Sequence, residues 1–287
     1  MMERYVIHVT KECNCDCLYC YEKDKTSVYT WPEIKKLLDD IVLYNKEFSI
    51  EFLGGEPLLA FDLIKQSYYY LESLTDVLVH DYAITSNGTI LTPEIIEFLQ
   101  KNKKVSICFS MDGHSHANQL RVLKDSRKNT YHNVMENVKK MQENGLTPSI
   151  HMVSHLYNVS MIADSISHLY ALGIRHVDVG TIENTMVIDA EYCDRFIKEM
   201  KIVSDKIHSG IYNSLNVGIL QWLKPKDDVR TYLRDKDGKL LGESYGRATD
   251  DLTQNDNQYA VLKCDSSLGD TIYNIRKTVY DYHNKPI

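Results

Sequence analysis

RYVIHVTKECNCDCLYC, residues 4 to 20, joins a strand to a cluster of thiols. RYVIHV (4 to 9) is apolar and β-branched, the composition of a buried strand. Cys13, Cys15, Cys17 and Cys20 follow almost at once, so they lie just beyond the strand's C-terminal end. In parallel α/β folds that end is where sites are built.

Working outward, strand and helix signals alternate. Thr30-Trp31-Pro32-Glu33 opens a helix with a capping residue, a first-turn proline and a capping-box glutamate. FSIEFL (48 to 53) is a second strand and runs into Gly54-Gly55. A helix over about 60 to 73 follows, then VLVHDYAIT as a third strand ending near Thr85. Thr92-Pro93-Glu94 starts the next helix, and KVSICFS (104 to 110) is a fourth strand. A helix over about 130 to 144 stops at Gly145, PSIHMVS is a fifth strand, a helix over about 160 to 172 stops at Gly173, and RHVDVG (175 to 180) is a sixth. Six βα units with short connections require parallel strands with helices outside. An open doubly wound sheet and a barrel both satisfy that. Beyond residue 210 the pattern weakens. Residues 224 to 258 are polar and rich in Asp, Lys and Asn, which reads as loop or insertion. YAVL (259 to 262) and DTIYNI (270 to 275) read as short strands.

Composition narrows the class. The chain has 287 residues, 43% of them apolar, enough for a sizeable core. Its formal charge of −7 lacks the basic footprint of a general nucleic-acid binder. No apolar run approaches a membrane span, and MMERYVIHVT lacks the apolar centre of a signal peptide. A cytoplasmic protein is expected. Seven cysteines, four of them between 13 and 20, are not a disulfide framework; in a reducing compartment they read as metal ligands. Zinc on all four thiolates is one reading, though four ligands within eight residues are cramped for a site usually built from two separated knuckles. An iron–sulfur cubane on Cys13, Cys17 and Cys20, with Cys15 as a spectator, is the other.

The spacing CxxxCxxC resembles the cluster motif of the radical S-adenosylmethionine superfamily, and Tyr19 matches the aromatic that contacts adenine there. Gly54-Gly55-Glu56-Pro57 resembles the family's GGEP motif. The glycines would admit the backbone to the methionine amino group, and the Glu56 carboxylate would partner the ammonium. Thr85-Ser86-Asn87-Gly88 resembles the TNG motif. Ser110-Met111-Asp112-Gly113 resembles the S-x-D-G of the peptide- and protein-modifying subgroup that includes the anaerobic sulfatase-maturing enzymes. There Ser110 and a downstream arginine, matched by Arg121, would hold the cofactor. Ile182 is the nearest match to the adenine contact after strand six. The resemblance spans residues 4 to 185. It implies a partial (β/α)6 TIM-like barrel over 1–210 with a short α+β extension over 211–287. It also implies one [4Fe-4S] cluster, S-adenosylmethionine, and an external one-electron donor of the flavodoxin or ferredoxin kind. In the family, reductive cleavage of the sulfonium yields a 5′-deoxyadenosyl radical that takes hydrogen from substrate. The S-x-D-G match points to a peptide or protein substrate, recognised by the barrel mouth, the C-terminal third or a separate protein. A nucleotide or small-molecule substrate is the first rival; a non-catalytic metal-binding accessory protein is the second.

Other residues stand out by position. Cys108 shares a strand face with Ser110 and would be an inward thiol able to donate a hydrogen atom, or simply a small core residue. His176, Asp178 and Gly180 share a face of strand six, where Asp178 is a candidate base; His151 on strand five is a weaker one. Lys124, Arg127 and Lys128 form a basic loop patch. Cys264 faintly resembles the start of an auxiliary-cluster extension, but Asn274 stands near where a second cysteine would fall. No auxiliary cluster is expected, and one shared by Cys193 and Cys264 is the disfavoured alternative.

Overall fold

The computed structural model describes residues 3–22, 25–182, 188–221, 229–234, 240–246, 259–262 and 266–285. Six strands alternate with helices: β1 (Arg4–Thr10), α1 (Trp31–Tyr44), β2 (Glu47–Gly54), α2 (Phe61–Glu72), β3 (Leu78–Ser86), α3 (Pro93–Lys101), β4 (Val105–Ser110), α4 (Tyr131–Glu143), β5 (Ser149–Ser154), α5 (Ile162–Ala171), β6 (His176–Thr181) and α6 (Ala190–His208). A two-residue β7 (Asn216–Val217) and a single turn α7 (Gly218–Gln221) follow. β1 to β7 lie side by side in chain order, every neighbouring pair parallel. This is the partial (β/α)6 TIM-like barrel, with β7 extending the parallel order past residue 210. No described helix is long and apolar enough to cross a membrane.

Local signals explain the elements. Glu33 Oε2 accepts the Thr30 N–H at 2.7 Å, which starts α1. Ile34, Leu37, Leu38 and Ile41 then recur with helical period and are buried. Thr92 Oγ1 accepts the Ile95 N–H at 3.3 Å to start α3. α4 and α5 stop just before Gly145 and Gly173, both at positive φ, a conformation glycine adopts without steric cost. Along the strands alternate residues divide between two environments. Tyr5, Ile7, Phe48, Ile50, Phe52 and Phe109 belong to the core shared with the helices. The intervening residues, such as Glu51, Thr85, Cys108 and His151, face the lumen of the partial barrel.

The C-terminal third departs from expectation. Val229–Arg234 (β8) and Leu240–Gly246 (β9), within the stretch read as loop, form an antiparallel pair, and β9 pairs antiparallel with the free edge of β1. Tyr259–Leu262 (β10) is a strand as expected and lies against β8. Ladder hydrogen bonds to β1 and between β8 and β9 hold these two strands within a stretch that is polar as a whole. DTIYNI is not a strand. It lies inside the helix α8 (Ser266–His283), where Ile275 and Val279, four apart, are 4% and 1% exposed. Cys264 falls outside the described residues.

The glycines at the end of β2 set how closely the loop leaving β1 can approach. Gly55 N–H donates to Thr10 O at 2.9 Å and Glu56 N–H to Glu12 O at 2.8 Å. A Cβ on Gly55 would run into the carbonyl oxygens of Lys11 and Glu12, both main-chain atoms that no rotamer change can move aside. Gly55→Ala should therefore displace the root of the cysteine loop. The expected outcome is a loss of at least about 2 kcal/mol in urea unfolding of the apoprotein, with reduced iron uptake on reconstitution. Wild-type stability and iron content in this variant would refute the close-approach account.

Candidate functional site

The cysteine loop is fastened along both sides. Asp16 N–H donates to Val122 O at 2.8 Å, Leu18 N–H to Leu120 O at 2.9 Å and Lys124 N–H to Asn14 O at 2.9 Å, a short zipper with the loop that follows β4. On the other flank Asn14 Nδ2 donates to Thr89 Oγ1 at 2.8 Å, and Asn87 Nδ2 to Asn14 Oδ1 at 2.7 Å. Asn87 Nδ2 also lies 3.8 Å from Cys13 Sγ. The TSNG turn thus reaches the first cysteine directly. The basic patch is drawn in as well, since Arg127 pairs with Asp16.

The four thiols are not equivalent. Cys15 is buried, whereas Cys13, Cys17 and Cys20 are partly exposed. Hydrogen bonding from the Cys15 thiol holds Cys13 and Cys17 below the ordinary thiol range, against the effect of burial. The Cys15 N–H adds to this at Cys13, 3.3 Å from its sulfur, and the Arg121 charge adds to it at Cys17. Cys15 itself is pushed up by the same bonds, and Cys20 is raised by burial. Thiolates are the metal-binding form, so the spectator favours ionisation of two of the three matched positions. Among the described residues no three His, Cys, Asp or Glu side chains are gathered closely enough to hold one metal ion. A cubane instead spreads its thiolates over separate irons, and three partly exposed thiols around a buried fourth fit that donor set.

Two buried carboxylates organise what surrounds the thiols. Glu56 is fully buried and accepts from Leu58 N–H at 3.0 Å, Ser86 Oγ at 2.9 Å and Asn87 N–H at 2.7 Å. Its carboxyl is pushed up to about 7 by burial, against those three bonds. Pro57 begins the short 3-10 turn beside it. Thr85 Oγ1 donates to Glu51 Oε1 at 2.7 Å in the lumen. Asp112 is also fully buried. It accepts from Tyr19 OH at 2.6 Å, Arg121 Nε at 2.9 Å and Val153 N–H at 3.0 Å. The Arg121 guanidinium lies 5.2 Å from the Tyr19 ring centre, and Tyr19 packs with Leu120 and Ile182. Tyr19 and Ile182, the two matched adenine contacts, are therefore brought together. His155 went unnoticed in the sequence. Burial pushes its imidazole down to about 4, its Nε2 lies 3.8 Å from Asp112 Oδ2, and its ring is 5.3 Å from that of Tyr19. Asn14 and Asn118 were missed too. Asn14 could have been noticed as an amide inside the cysteine motif; Asn118, whose Oδ1 accepts the Asp112 N–H at 2.9 Å, carries no such signal.

Strand pairing aligns the lumen. Ser110, His151 and Asp178 are register partners across β4, β5 and β6. Thr85, Cys108, Ser149 and His176 form the row below. Burial pushes the Cys108 thiol up to about 12, so it stays protonated. Burial works against ionisation of Asp178, but the hydrogen bond and charge of His151, 2.9 Å away, and the charge of Arg276 outweigh it and hold the carboxyl below the usual range. Asp178 nonetheless exposes 57% of its side chain, so it faces a water-accessible lumen.

Residues 7–169 match the Radical SAM superfamily. The chain belongs to that superfamily. Its cofactors are a [4Fe-4S] cluster and S-adenosylmethionine. It is 36% identical over 129 residues to the radical SAM cyclopropyl synthase TigE of Paramaledivibacter caminithermalis, covering 38% of this chain and 27% of that one. It is 26% identical over 215 residues to a GTP 3′,8-cyclase of Clostridium perfringens, covering 69% and 63%. The chain thus spans less than two thirds of either relative. Among solved structures it resembles native anSMEcpe with bound AdoMet and Kp18Cys peptide, at a TM-score of 0.68 and 13% identity over 96% of this radical SAM chain and 84% of that one.

Glu56 supplies a test of the buried scaffold. Its folded carboxyl, at about 7, lies above the ordinary value of 4.5. The folded state therefore binds the proton more tightly, and this contribution to stability is full below about pH 4.5 and lost as pH rises through 7. Glu56→Gln should flatten the pH dependence of apoprotein unfolding between pH 5 and 7. It should also cost about 1–3 kcal/mol at pH 5, because one amide N–H now faces an NH2 group. Urea unfolding at pH 5, 6 and 7 measures both; parallel curves for variant and wild type would exclude the assignment.

Proposed function

We propose that this protein modifies a peptide or protein residue by radical chemistry, with the cluster held by Cys13, Cys17 and Cys20. When bound, the cluster and S-adenosylmethionine supply a 5′-deoxyadenosyl radical that takes hydrogen from the substrate. The chain's own groups bind, orient and shield. Tyr19 and Ile182 offer an apolar wall for adenine. Ser110 stands at the lumen end of β4 for the ribose or carboxylate side. Arg121, tied to Asp112, keeps Tyr19 in place and sets positive charge beside Cys17. Gly54, Gly55 and Asn87 position the cysteine loop, and Glu56 acts through Asn87 and Ser86.

The observation that carries the substrate class is the charge of the lumen. Glu51, Asp81 and Asp178 are acidic. Arg4 is committed to Asp81 at 2.8 Å, with Glu51 4.0 Å away, and Arg276 acts on Asp178, so among these groups the carboxylates exceed the cations by one. A triphosphate entering there would meet no excess of positive charge among them, which disfavours the GTP of the cyclase relative. A peptide, neutral or basic, requires no such excess. The fold shared with a peptide-bound anSMEcpe supports the same choice. An electron enters from an external flavodoxin- or ferredoxin-like carrier, and a cytoplasmic location suits both the thiols and that donor.

Two measurements test this reading. Anaerobic reconstitution should give about four iron and four sulfide per chain in wild type and none in a Cys13, Cys17, Cys20 to Ala variant. Cluster iron left in the variant would reassign the ligands, and zinc in place of iron would remove the radical chemistry. With the reconstituted protein and dithionite, 5′-deoxyadenosine formation is then compared with peptides encoded beside the gene and with GTP. A rise of tenfold or more over background with a peptide, and none with GTP, is expected; the reverse would transfer the protein to nucleotide chemistry.

A further inference from the structure

The row Ser110–His151–Asp178 places a histidine–carboxylate pair in the same lumen. His151 Nδ1 and Asp178 Oδ2 are 2.9 Å apart. The carboxylate accepts, so Nδ1 carries the hydrogen and the lone pair is left on Nε2. Among the described residues Nε2 makes no hydrogen bond, and the side chain keeps 32% of its surface exposed. A pair retained for stability alone would be buried with both nitrogens satisfied. This one leaves its basic nitrogen without a hydrogen-bond partner among the described residues, on a side chain that water reaches.

The surroundings are shaped around the pair. The imidazole stands against Gly180, where a Cβ would lie 3.1 Å from Cε1 and 3.3 Å from Nε2. Asp178 Oδ1 stands against Gly218, where a Cβ would lie 2.8 Å away. Two strands and the start of α7 thus leave room for this one contact. The charged and titratable groups facing it are Arg276 from α8, which acts on Asp178, and Cys108 from β4, itself influenced by Glu51.

We propose that His151 is the proton acceptor of the substrate cavity and that Asp178 is its positioning residue. The substrate it serves carries a polar N–H or O–H beside the carbon that loses hydrogen. In this step that N–H or O–H bond breaks and an N–H bond forms at Nε2. Both bonding electrons stay on the substrate heteroatom, and the imidazolium is stabilised by the Asp178 carboxylate. The proton returns to water through the lumen. Asp178 is the poorer base, because its bond to His151 already lowers its affinity for a proton. The assignment deepens the peptide reading, but its first test uses no substrate, so the two can fail separately.

Among imidazoles, diethyl pyrocarbonate acylates those with an unprotonated, accessible nitrogen. Its reaction with the reconstituted protein, mapped by mass spectrometry across pH 5 to 8, reads each of the 11 histidines. In wild type His151 should react on the timescale of the exposed His116. In Asp178→Asn its rate relative to His116 at pH 8 should fall at least threefold, since the carboxylate that fixes the ring with Nε2 as the open nitrogen has been removed. Asp178→Glu, which keeps that acceptor, should return most of the loss. A His151 that stays unmodified while His116 reacts would overturn the proposal, and that arm needs no variant. So would an unchanged relative rate in Asp178→Asn. With a peptide that passes the deoxyadenosine screen, His151→Gln should lower product formation at least tenfold at pH 7 and remove the acid limb of the pH profile. Wild-type turnover in His151→Gln would also overturn it.

Discussion

Asp112 has no exposed surface, and the structure around the site depends on what it holds. Its two oxygens collect Tyr19 from the cysteine loop, Arg121 from the loop after β4 and the Val153 N–H of β5. A carboxylate in that position is tolerable only while its partners are present. Removing one member of such a buried ion pair leaves the other unpaired, at roughly 3–5 kcal/mol. The cost of burial thus becomes a constraint on geometry. The cysteine loop cannot leave the barrel mouth without uncovering Asp112.

Glu56 constrains the opposite flank by different physics. No cation faces it. Three hydrogen-bond donors compensate its burial incompletely, and its carboxyl rises to about 7. It ties the end of β2 to the end of β3, and Asn87 carries the connection on to Asn14 and Cys13. Glycine enters where main chains must nearly touch, at Gly55 against Lys11 and Glu12. The thiols are held between one charge-paired carboxylate and one hydrogen-bonded carboxylate. Glu56 and Asp112 each hold their neighbours in place through the hydrogen bonds they accept.

This explains which parts were legible in advance. The six βα units were readable because buried parallel strands are apolar and their helices carry capping signals such as Thr30-Glu33 and Thr92-Pro93. The motifs were readable because they sit at strand ends in fixed order. What each motif residue touches was not readable: the donors to Glu56 from Leu58, Ser86 and Asn87 are brought to it only by the folded ends of β2 and β3. β8 and β9 were missed because their place in the sheet is set by main-chain bonds, β9 to β1 and β8 to β9 and β10, inside a stretch that is polar as a whole. The stretch 270–275 was misread because a six-residue window holds too little helical period; Ile275 and Val279 reveal it only together. His155 gave no signal, since burial and not sequence spacing sets its character.

The register of the lumen adds one consequence. Ser110 and Cys108 lie on the same face of β4, two residues apart, which separates them by roughly 6.6 Å along the strand. Cys108 is level with Thr85 and Ser149, one row deeper than Ser110, His151 and Asp178. A group entering from the barrel mouth meets the Ser110 row first and the thiol second. The outer row contains the hydrogen-bonded imidazole and its carboxylate; the inner contains a thiol that burial keeps protonated. Proton exchange with water suits the outer row, where Asp178 remains exposed. A sulfur–hydrogen bond survives best in the inner one, where a thiolate is costly to form. Pairing with His151 keeps Asp178 ionised in the outer row while burial keeps Cys108 neutral in the inner one, which separates two kinds of hydrogen chemistry across adjacent rows of the lumen.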